Sequence, residues 1–95
     1  MYVVVAKWVA QEAEDDAVAR LLLLNAEASR AEPGCQAFIV HRSLEHPRTY
    51  LLYEQYDDEA AFAAHRESEH FKTYVLEDAV ARLESREFST YEPLD

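Results

Sequence analysis

The segment that decides the fold is Arg48–Tyr74, with the sequence RTYLLYEQYDDEAAFAAHRESEHFKTY. Its first part, Thr49–Tyr56, is rich in aromatic residues and is typical of a β-strand. Two aspartates then offer side-chain caps for a short Ala-rich helix that extends to about Arg66. Glu54 in the strand and His65 in the helix occupy positions where ionisable side chains are rare, because burying them without a partner is costly. The segment therefore predicts either an acid–base pocket or a structural polar pair.

The neighbouring segments extend this unit into a complete sheet. The remaining predicted elements, in chain order, are Tyr2–Val9 (strand), about Glu12 to the Pro33-Gly34 pair (helix), Ala37–His41 (strand), Glu69–Leu83 (helix) and Arg86–Tyr91 (strand). Proline removes a backbone donor and Gly34 is expected to supply an unusual backbone conformation, so together they end the first helix. The predicted apolar face of that helix comprises Ala17, Leu21, Leu24, Ala28 and Ala31, widened by Val18 and Leu22.

The order strand, helix, strand, strand, helix, strand is that of a ferredoxin-like α+β sandwich, in which both helices cover one face of an antiparallel sheet. The other face still carries large apolar residues, and a second copy of the chain would cover it around a twofold axis. We therefore expect one domain, residues 1–95, that forms a homodimer.

The composition limits the classes of function. The chain is 49% hydrophobic and 12% aromatic, which is globular, and its formal net charge of -10 argues against nucleic acid and anionic membrane surfaces as partners. Cys35 is the only cysteine, so it forms no intrachain disulfide, and we expect a packed residue rather than a nucleophile. The first apolar run does not fit a signal peptide and no segment is long enough to span a bilayer, so a cytoplasmic protein is expected.

A histidine and a glutamate form the central chemical feature. Side chains alternate along a strand, so Tyr50, Glu54 and Tyr56 share one face, and Phe62 and His65 share one side of the following helix. If that helix packs over this face, Glu54 raises the pKa of His65 and fixes its tautomer, as a general base requires. The alternative is a solvated Glu54 at the sheet edge and a His65 packed at a helix end.

Other polar residues have open roles. Asn25 either reaches the same cavity or lies on the helix surface, and His70 caps a helix, contacts a ligand or packs. We expect His41 in solvent or at the dimer seam, and His46 exposed in the hairpin turn. His65 and His70 are five positions apart, which misses one face of a continuous helix, and no pair has a metal-ligand spacing such as HExxH, so no metal site is expected. A single glycine leaves no phosphate-binding loop.

An aromatic cavity is predicted around the pair, with an expected lining of Phe38, Tyr50, Tyr53, Tyr56, Phe62, Phe71 and Tyr74. A hollow of this kind with hydroxyl groups fits a flat, partly polar molecule such as a quinol or a phenol. The alternative is that these rings fill the core of a small sandwich.

The residues quoted above resemble the antibiotic biosynthesis monooxygenase family. The resemblance rests on the element order, on EPGC before the second strand, and on YEQYDDEAAFAAHRESEHF, in which an acidic helix start precedes His65, His70 and Phe71. It covers almost the whole chain and implies a small dimeric α+β barrel. The chain differs from the aromatic-polyketide oxygenases of this family at Leu52, Tyr56 and Phe62, and from its haem degraders at Lys7 and His65. It is more similar to the branch that isomerises a phosphorylated dione derived from the autoinducer-2 signal, at Asn25, Phe38, Tyr53, Glu54, Tyr56, His65, His70 and Lys72-Thr73.

The resemblance implies a monooxygenase of a phenolic or quinol small molecule that uses oxygen without a cofactor. In that interpretation His65 and Glu54 are catalytic, and the substrate-binding residues are Asn25, Phe38, Tyr53, Tyr56, Phe62 and His70. An isomerase of a small hydroxy-dione and a non-catalytic ligand-binding dimer remain as alternatives.

Overall fold

Four strands and two α-helices build the protein, whose residues 1–95 are all described by a computed structural model. The strands are β1 (Tyr2–Ala10), β2 (Cys35–Arg42), β3 (Thr49–Tyr56) and β4 (Leu83–Tyr91), and the helices are α1 (Asp15–Arg30) and α2 (Glu59–Arg66). A π-helical segment, Phe71–Leu76, and a 3-10 turn, Ala79–Arg82, lead into β4. The strands form one antiparallel sheet in the order β2–β3–β1–β4. This arrangement confirms the predicted ferredoxin-like α+β fold.

The position of β3 inside the sheet places Glu54 in the core. β3 pairs with β1 on one side and with β2 on the other, so that Glu54 lies opposite both Val4 and Phe38. The predicted alternation is visible in the burial of the strand, because Tyr50, Leu52, Glu54 and Tyr56 are all buried. Glu54 is only 4% exposed. The alternative of a solvated carboxylate at the sheet edge is therefore wrong.

Helix α1 buries Val18, Leu21 and Leu22 as predicted, but the rest of its buried face differs from the prediction. Its buried residues are Val18, Leu21, Leu22, Asn25, Ala26 and Ser29, whereas Leu24 and Ala28 of the predicted face are only half-buried. The buried face of the helix is therefore rotated about the helix axis relative to the predicted face. Because of this rotation, Asn25 lies on the buried side of the helix rather than on its surface.

Three parts of the chain differ most from the sequence prediction. Helix α1 begins at Asp15 rather than near Glu12, because the preceding residues form a turn in which Ala13 has a φ of 71°. The continuous helix expected over 69–83 is wrong, since that segment is divided into the π-helical segment and the 3-10 turn. β4 begins at Leu83, three residues before the expected Arg86, because Leu83 already pairs with Ala10 of β1.

The turn between α1 and β2 packs tightly against α2. Gly34 has no positive φ, so the unusual backbone conformation expected of it is wrong. Its constraint is space, because a Cβ at this position would lie 2.6 Å from the Cβ of Ala61. Glycine permits that close approach of the two backbones. The approach brings the residues after α1, including Glu32, against the end of α2.

The two faces of the sheet differ in what covers them. The helices cover the face that carries Tyr50, Leu52 and Glu54, and the main core lies there. Along the other face, which we call the open face, Ile39, Leu51 and Tyr91 are 49%, 43% and 55% exposed. None of the helices has the length and apolar character needed to cross a membrane.

Candidate acid–base cavity

A cavity of about 50 Å³ lies between the sheet and the helices. Its polar lining residues are Asn25, Glu54, His65, Arg66 and Arg86. Aromatic surface is supplied by Trp8, Phe38, Phe62, Phe71 and Phe88, and smaller apolar side chains complete the wall. A cavity of roughly 150 Å³ is known to hold benzene, so a one-ring ligand here would fill the enclosed part and extend through the mouth.

His65 is the imidazole of this cavity, and its two ring nitrogens face different surroundings. The side chain is 2% exposed and is packed among the rings of Phe38, Tyr56, Phe62 and Phe71. Its Nδ1 lies 2.8 Å from Oε2 of Glu32, whereas its Nε2 lies 4.0 Å from Oε1 of Glu54. The carboxylate of Glu32 therefore accepts a hydrogen bond from Nδ1–H, which leaves Nε2 directed at Glu54 across the cavity.

Glu32 is the residue that sequence reasoning missed. The same Oε2 atom that contacts His65 lies 2.6 Å from Nε2 of His70, so one carboxylate oxygen joins both histidines. Glu32 lies in the turn after α1, where a glutamate is usually solvated, and no local pattern distinguishes it from the other acidic residues. The signal that could have found it is the adjacent Pro33-Gly34 pair, since Gly34 is what allows this turn to reach α2.

The two histidines meet because the helix is interrupted between them. Helix α2 ends at Arg66, and Oγ of Ser68 donates to the carbonyl oxygen of His65 at 2.7 Å. The chain then turns so that the ring of His70 comes within 5.9 Å of the ring of His65, measured between centroids. On a continuous helix, a spacing of five residues would separate the two side chains. The sequence prediction assumed a continuous helix here, and that assumption is wrong.

Glu32, His65 and His70 also form a group of the kind that binds a divalent cation. The three candidate ligand atoms lie within 4.8 Å of one another. Two imidazoles and one carboxylate suit zinc and other transition metals. In the present geometry, the hydrogen bonds from the histidines to Glu32 join the three groups.

Burial in the cavity shifts the pKa values of Glu54 and His65 toward their neutral forms. Burial raises the pKa of Glu54 to about 7, against a hydrogen bond from the hydroxyl of Tyr56 to Oε1 at 2.5 Å that lowers it. Burial lowers the pKa of His65, and this effect outweighs the opposing influence of Glu32. The sequence-based expectation that the pKa of His65 is raised is therefore wrong, because desolvation outweighs the effect of the carboxylate. His65 is an uncharged base near neutral pH, and Glu54 is a carboxyl group that titrates there.

Asn25 contributes a polar group with no protein partner. Its side chain is buried and lines the cavity, and its Oδ1 forms no hydrogen bond. Buried amide oxygens are nearly always paired, because leaving one unpaired costs about 1–3 kcal/mol. An unpaired acceptor in a cavity wall is suited to a hydroxyl group of a ligand.

The other residues named from the sequence divide into two groups. Phe38 and Phe62 line the cavity, and Tyr56 packs against His65 and donates to Glu54. Tyr53 points to the open face of the sheet, where Gln55 donates to its hydroxyl, so its expected place in the cavity is wrong. Alternation along β3 required this, since Tyr53 is adjacent to Glu54.

Tyr50 and Tyr74 are also absent from the cavity wall. The hydroxyl of Tyr50 contacts Asp15 and accepts from Arg42, away from the cavity, and Tyr74 packs against the main core. Phe71, by contrast, lines the cavity as expected. His70 reaches the site through Glu32 rather than by lining the cavity itself.

The remaining sequence candidates have no part in the cavity. Burial raises the pKa of Cys35 to about 11, assisted by the charge of Glu32, so the thiol is protonated at neutral pH. His41 and His46 are exposed, His41 on the open face and His46 in the hairpin turn. Three further cavity residues, Trp8, Arg86 and Phe88, received no site role from the sequence.

The fold is that of a small ferredoxin-like α+β protein, and its cavity holds a buried histidine and a buried glutamate. The chain belongs to the antibiotic biosynthesis monooxygenase family, whose model matches residues 1–76. That match includes Glu32, Glu54, His65 and His70. The resemblance inferred from the sequence is thereby confirmed.

Solved structures of related proteins agree with this assignment. A Nitrosomonas europaea protein that carries the family's name is 31% identical over 100% of both chains, with a TM-score of 0.91. The protein PA3566 from Pseudomonas aeruginosa is 26% identical over 99% of this chain and 94% of its own, with a TM-score of 0.93. Rv0793 from Mycobacterium tuberculosis is 25% identical over 99% of this chain and 95% of its own, with a TM-score of 0.91. Among curated proteins, none matches this sequence.

Proposed function

We propose that the protein is a cofactor-independent monooxygenase of a phenolic or quinol small molecule, with His65 as the general base. The observation that carries this proposal is the orientation of His65, whose Nδ1 is held by Glu32 while its Nε2 faces Glu54 across the cavity. A base that is buried, uncharged and fixed in one tautomer can remove a proton from a bound hydroxyl. Family membership supports the oxygenase class.

The proposed reaction begins with transfer of a phenolic proton to Nε2 of His65. The resulting phenolate passes an electron to molecular oxygen, and recombination forms a carbon–oxygen bond and a peroxide, which takes back the proton from His65. Cleavage of the O–O bond, with loss of the proton on the same carbon, leaves a carbonyl group and releases water. The substrate supplies all four electrons, one oxygen atom enters the product, and the other leaves as water.

The remaining cavity groups have roles that follow from their positions. Oδ1 of Asn25 would accept a hydrogen bond from a substrate hydroxyl, and Phe38 and Phe62 would hold the ring. Glu54, with a pKa of about 7, would donate a proton to the departing oxygen when it is protonated. The sequence predicted that Glu54 orients His65, but Oε1 of Glu54 lies 4.0 Å from Nε2 of His65, which is too far for a hydrogen bond. Oε2 of Glu32 lies 2.8 Å from Nδ1 instead. We assign that role to Glu32 as a positioning residue.

Oxygen uptake with a panel of quinols and phenols tests the proposal. The wild-type protein should consume oxygen above the rate of autoxidation with at least one member, and His65→Ala should remove that excess. His46→Ala is the matched control, because His46 is exposed in the hairpin turn and lies outside the cavity. Uptake that is equal in wild type and His65→Ala would contradict the assignment of the base.

An isomerase of a small hydroxy-dione is the second candidate, favoured by one observation. His65 and Glu54 face each other at 4.0 Å, and two such groups could move a proton between neighbouring carbons of an enediol. Oxygen separates the two candidates, because isomerisation would continue unchanged under argon whereas oxygenation would stop. Ligand binding with no turnover of either kind would favour the non-catalytic binding module.

We also propose that the chain forms a homodimer through the open face. Ile39, Leu51 and Tyr91 leave apolar surface on this face, and a second copy would cover it with the same surface. The substitution Leu51→Arg should convert the dimer to a monomer in light scattering at micromolar concentration. Glu87 lies on the same face, on the outer strand β4. The substitution Glu87→Arg therefore tests whether a change of charge alone prevents dimerisation. A wild-type protein that is monomeric under these conditions would refute the dimer.

A further inference from the structure

Two arginines share the mouth of the acid–base cavity. Arg66 is the last residue of α2, and Arg86 lies on β4, so elements far apart in sequence bring them together. Burial and the charge of Arg66 lower the pKa of Arg86, as expected for two guanidinium groups near each other. The chain carries a net charge of -10, yet the cavity mouth holds two cations.

Neither arginine has an anionic partner in the protein. Arg42, Arg48 and Arg82 each form an ion pair with Asp or Glu side chains, whereas Arg66 and Arg86 form none. An isolated exposed arginine needs no partner, because water solvates it. Two arginines that face one cavity repel each other, and a chain with 19 acidic residues leaves them without a counter-charge.

Aromatic rings hold both guanidinium groups in position. The Cζ atom of Arg66 lies 5.7 Å from the ring centre of Phe62 and 5.4 Å from that of Phe88. The Cζ atom of Arg86 lies 5.9 Å from the ring centre of Trp8. A guanidinium group over a ring face keeps its N–H edges free for an oxyanion, and this fixed planar arrangement suits bidentate contacts.

We propose that Arg66 and Arg86 form an oxyanion subsite, so that the molecule entering the cavity carries a carboxylate or phosphate group beside its ring. The enclosed part of the cavity, about 50 Å³, is too small for a whole substituted ring. The ring therefore lies between Phe38 and Phe62 near His65, and its anionic group remains at the mouth between the arginines. This inference rests on the proposed function for the location of the ring, but it concerns binding rather than oxygen chemistry.

Binding measured without oxygen tests the subsite separately from turnover. Calorimetry under argon would compare 2,5-dihydroxybenzoate and 3-(4-hydroxyphenyl)propanoate with their methyl esters, and phenyl phosphate with phenol. In at least one arm, the wild-type protein should bind the anion at least about tenfold tighter than its neutral partner, because charge-assisted hydrogen bonds are the strong ones. A preference confined to one arm assigns carboxylate or phosphate accordingly. Equal affinity of anion and neutral partner in every arm, or no binding of any anion, overturns the proposal.

Three variants connect the preference to these two residues. Arg66→Gln and Arg86→Gln should each reduce the affinity for the anion by about tenfold and leave the affinity for its neutral partner unchanged. Arg20→Gln removes the same charge from an exposed position of α1 and should change neither. Circular dichroism tests whether each variant folds. If Arg66→Gln does not fold, Arg66→Lys replaces it, because lysine keeps the charge. Equal losses in Arg20→Gln and Arg66→Gln would show only a net-charge effect and overturn the subsite. A preference for anions without any oxygen uptake would retain the subsite and reject the oxygenase.

Discussion

The two sides of the His65 ring lie in different regions of the molecule. On the outer side, Nδ1 meets Glu32 and, through it, His70, and these residues are partly exposed. On the inner side, Nε2 faces the buried carboxyl group of Glu54 and the cavity. In the outer region short hydrogen bonds join the three side chains, whereas in the inner region Nε2 of His65 and Oδ1 of Asn25 have no hydrogen-bond partner. Fixing one nitrogen of the imidazole is therefore what makes the other available for chemistry.

The largest expected effect comes from removing the ring that joins the two regions. In His65→Ala, turnover of a substrate found in the oxygen-uptake panel should fall by ~10²–10⁴-fold, the usual contribution of a general base. Ligand affinity should change little, because Phe38, Phe62 and Asn25 still form the cavity. Steady-state kinetics and anaerobic binding measure the two quantities. A loss that appears only in KM would assign His65 to binding instead.

The inner region should be revealed by the dependence of stability on pH. Burial in the folded protein raises the pKa of Glu54 from its ordinary value of 4.5 to about 7, so between these two pH values the folded state binds the additional proton. Stability from this group is therefore present at acid pH and is lost as pH rises through about 7. The Glu54→Gln variant has no such loss. The free energy of unfolding of this variant minus that of the wild type should therefore be larger at pH 8 than at pH 5, by on the order of a few kcal/mol.

Urea unfolding at the two pH values provides the measurement. His65 acts in the opposite direction, because its lowered pKa means that the unfolded chain binds the proton more readily and that acid destabilises the fold. Both proteins in the comparison contain His65, so its contribution largely cancels. A stability difference between wild type and Glu54→Gln that is identical at pH 5 and pH 8 would show that Glu54 keeps its ordinary pKa.

The outer region should have a smaller effect on catalysis. In Glu32→Gln, His65 keeps a hydrogen-bond partner but loses the charge that favours Nδ1–H, so turnover should fall on the order of 10–10²-fold. A buried triad carboxylate costs about 10⁴-fold when changed to the amide, and the smaller figure follows from the partial exposure of Glu32. Glu27→Gln on the exposed side of α1 is the control. If both variants retained wild-type turnover, Glu32 would have no positioning role.

His70 should have a smaller effect on turnover than either His65 or Glu32. In His70→Ala, the hydrogen bond from Nδ1 of His65 to Glu32 remains, and only the second donor to the carboxylate is lost. Turnover should fall by about 2–10-fold, the equivalent of one hydrogen bond of about 0.5–1.5 kcal/mol. Initial rates at saturating substrate are sufficient to measure it. A loss as large as that of His65→Ala would make His70 part of the reacting group and would remove the distinction between the two regions.

The inner region was largely predictable from the sequence, and the outer region was not. The alternation of Thr49–Tyr56 gave β3 its observed bounds and placed Glu54 on the covered face, and the 3–4 spacing in α2 placed His65 against it. These are local periodicities, which depend on backbone geometry alone. Tyr53 was assigned to the cavity despite its position next to Glu54, so the same rule could have excluded it.

The outer region depends on contacts between segments that are distant in sequence. Glu32 and His65 are separated by 33 positions, and they meet because Gly34 permits a close approach to Ala61. His65 and His70 come close together because the helix ends at Arg66. No proline or glycine near Arg66 predicts this end of the helix. Arg86 reached the cavity mouth through the register of β4 against β1, where it lies opposite Trp8. Single-sequence reasoning has no access to such tertiary proximity.

The tautomer of His65 shows whether Nε2 is free to act as the base, and its measurement requires no substrate. Long-range ¹⁵N–¹H correlation spectra at pH 7, assigned with the His65→Ala variant, distinguish a protonated ring nitrogen from an unprotonated one. We predict that Nδ1 of His65 carries the proton and Nε2 is free, and that Glu32→Gln weakens this preference. A spectrum in which Nε2 carries the proton, or in which the ring is a cation at pH 7, would contradict the assignment of His65 as the base.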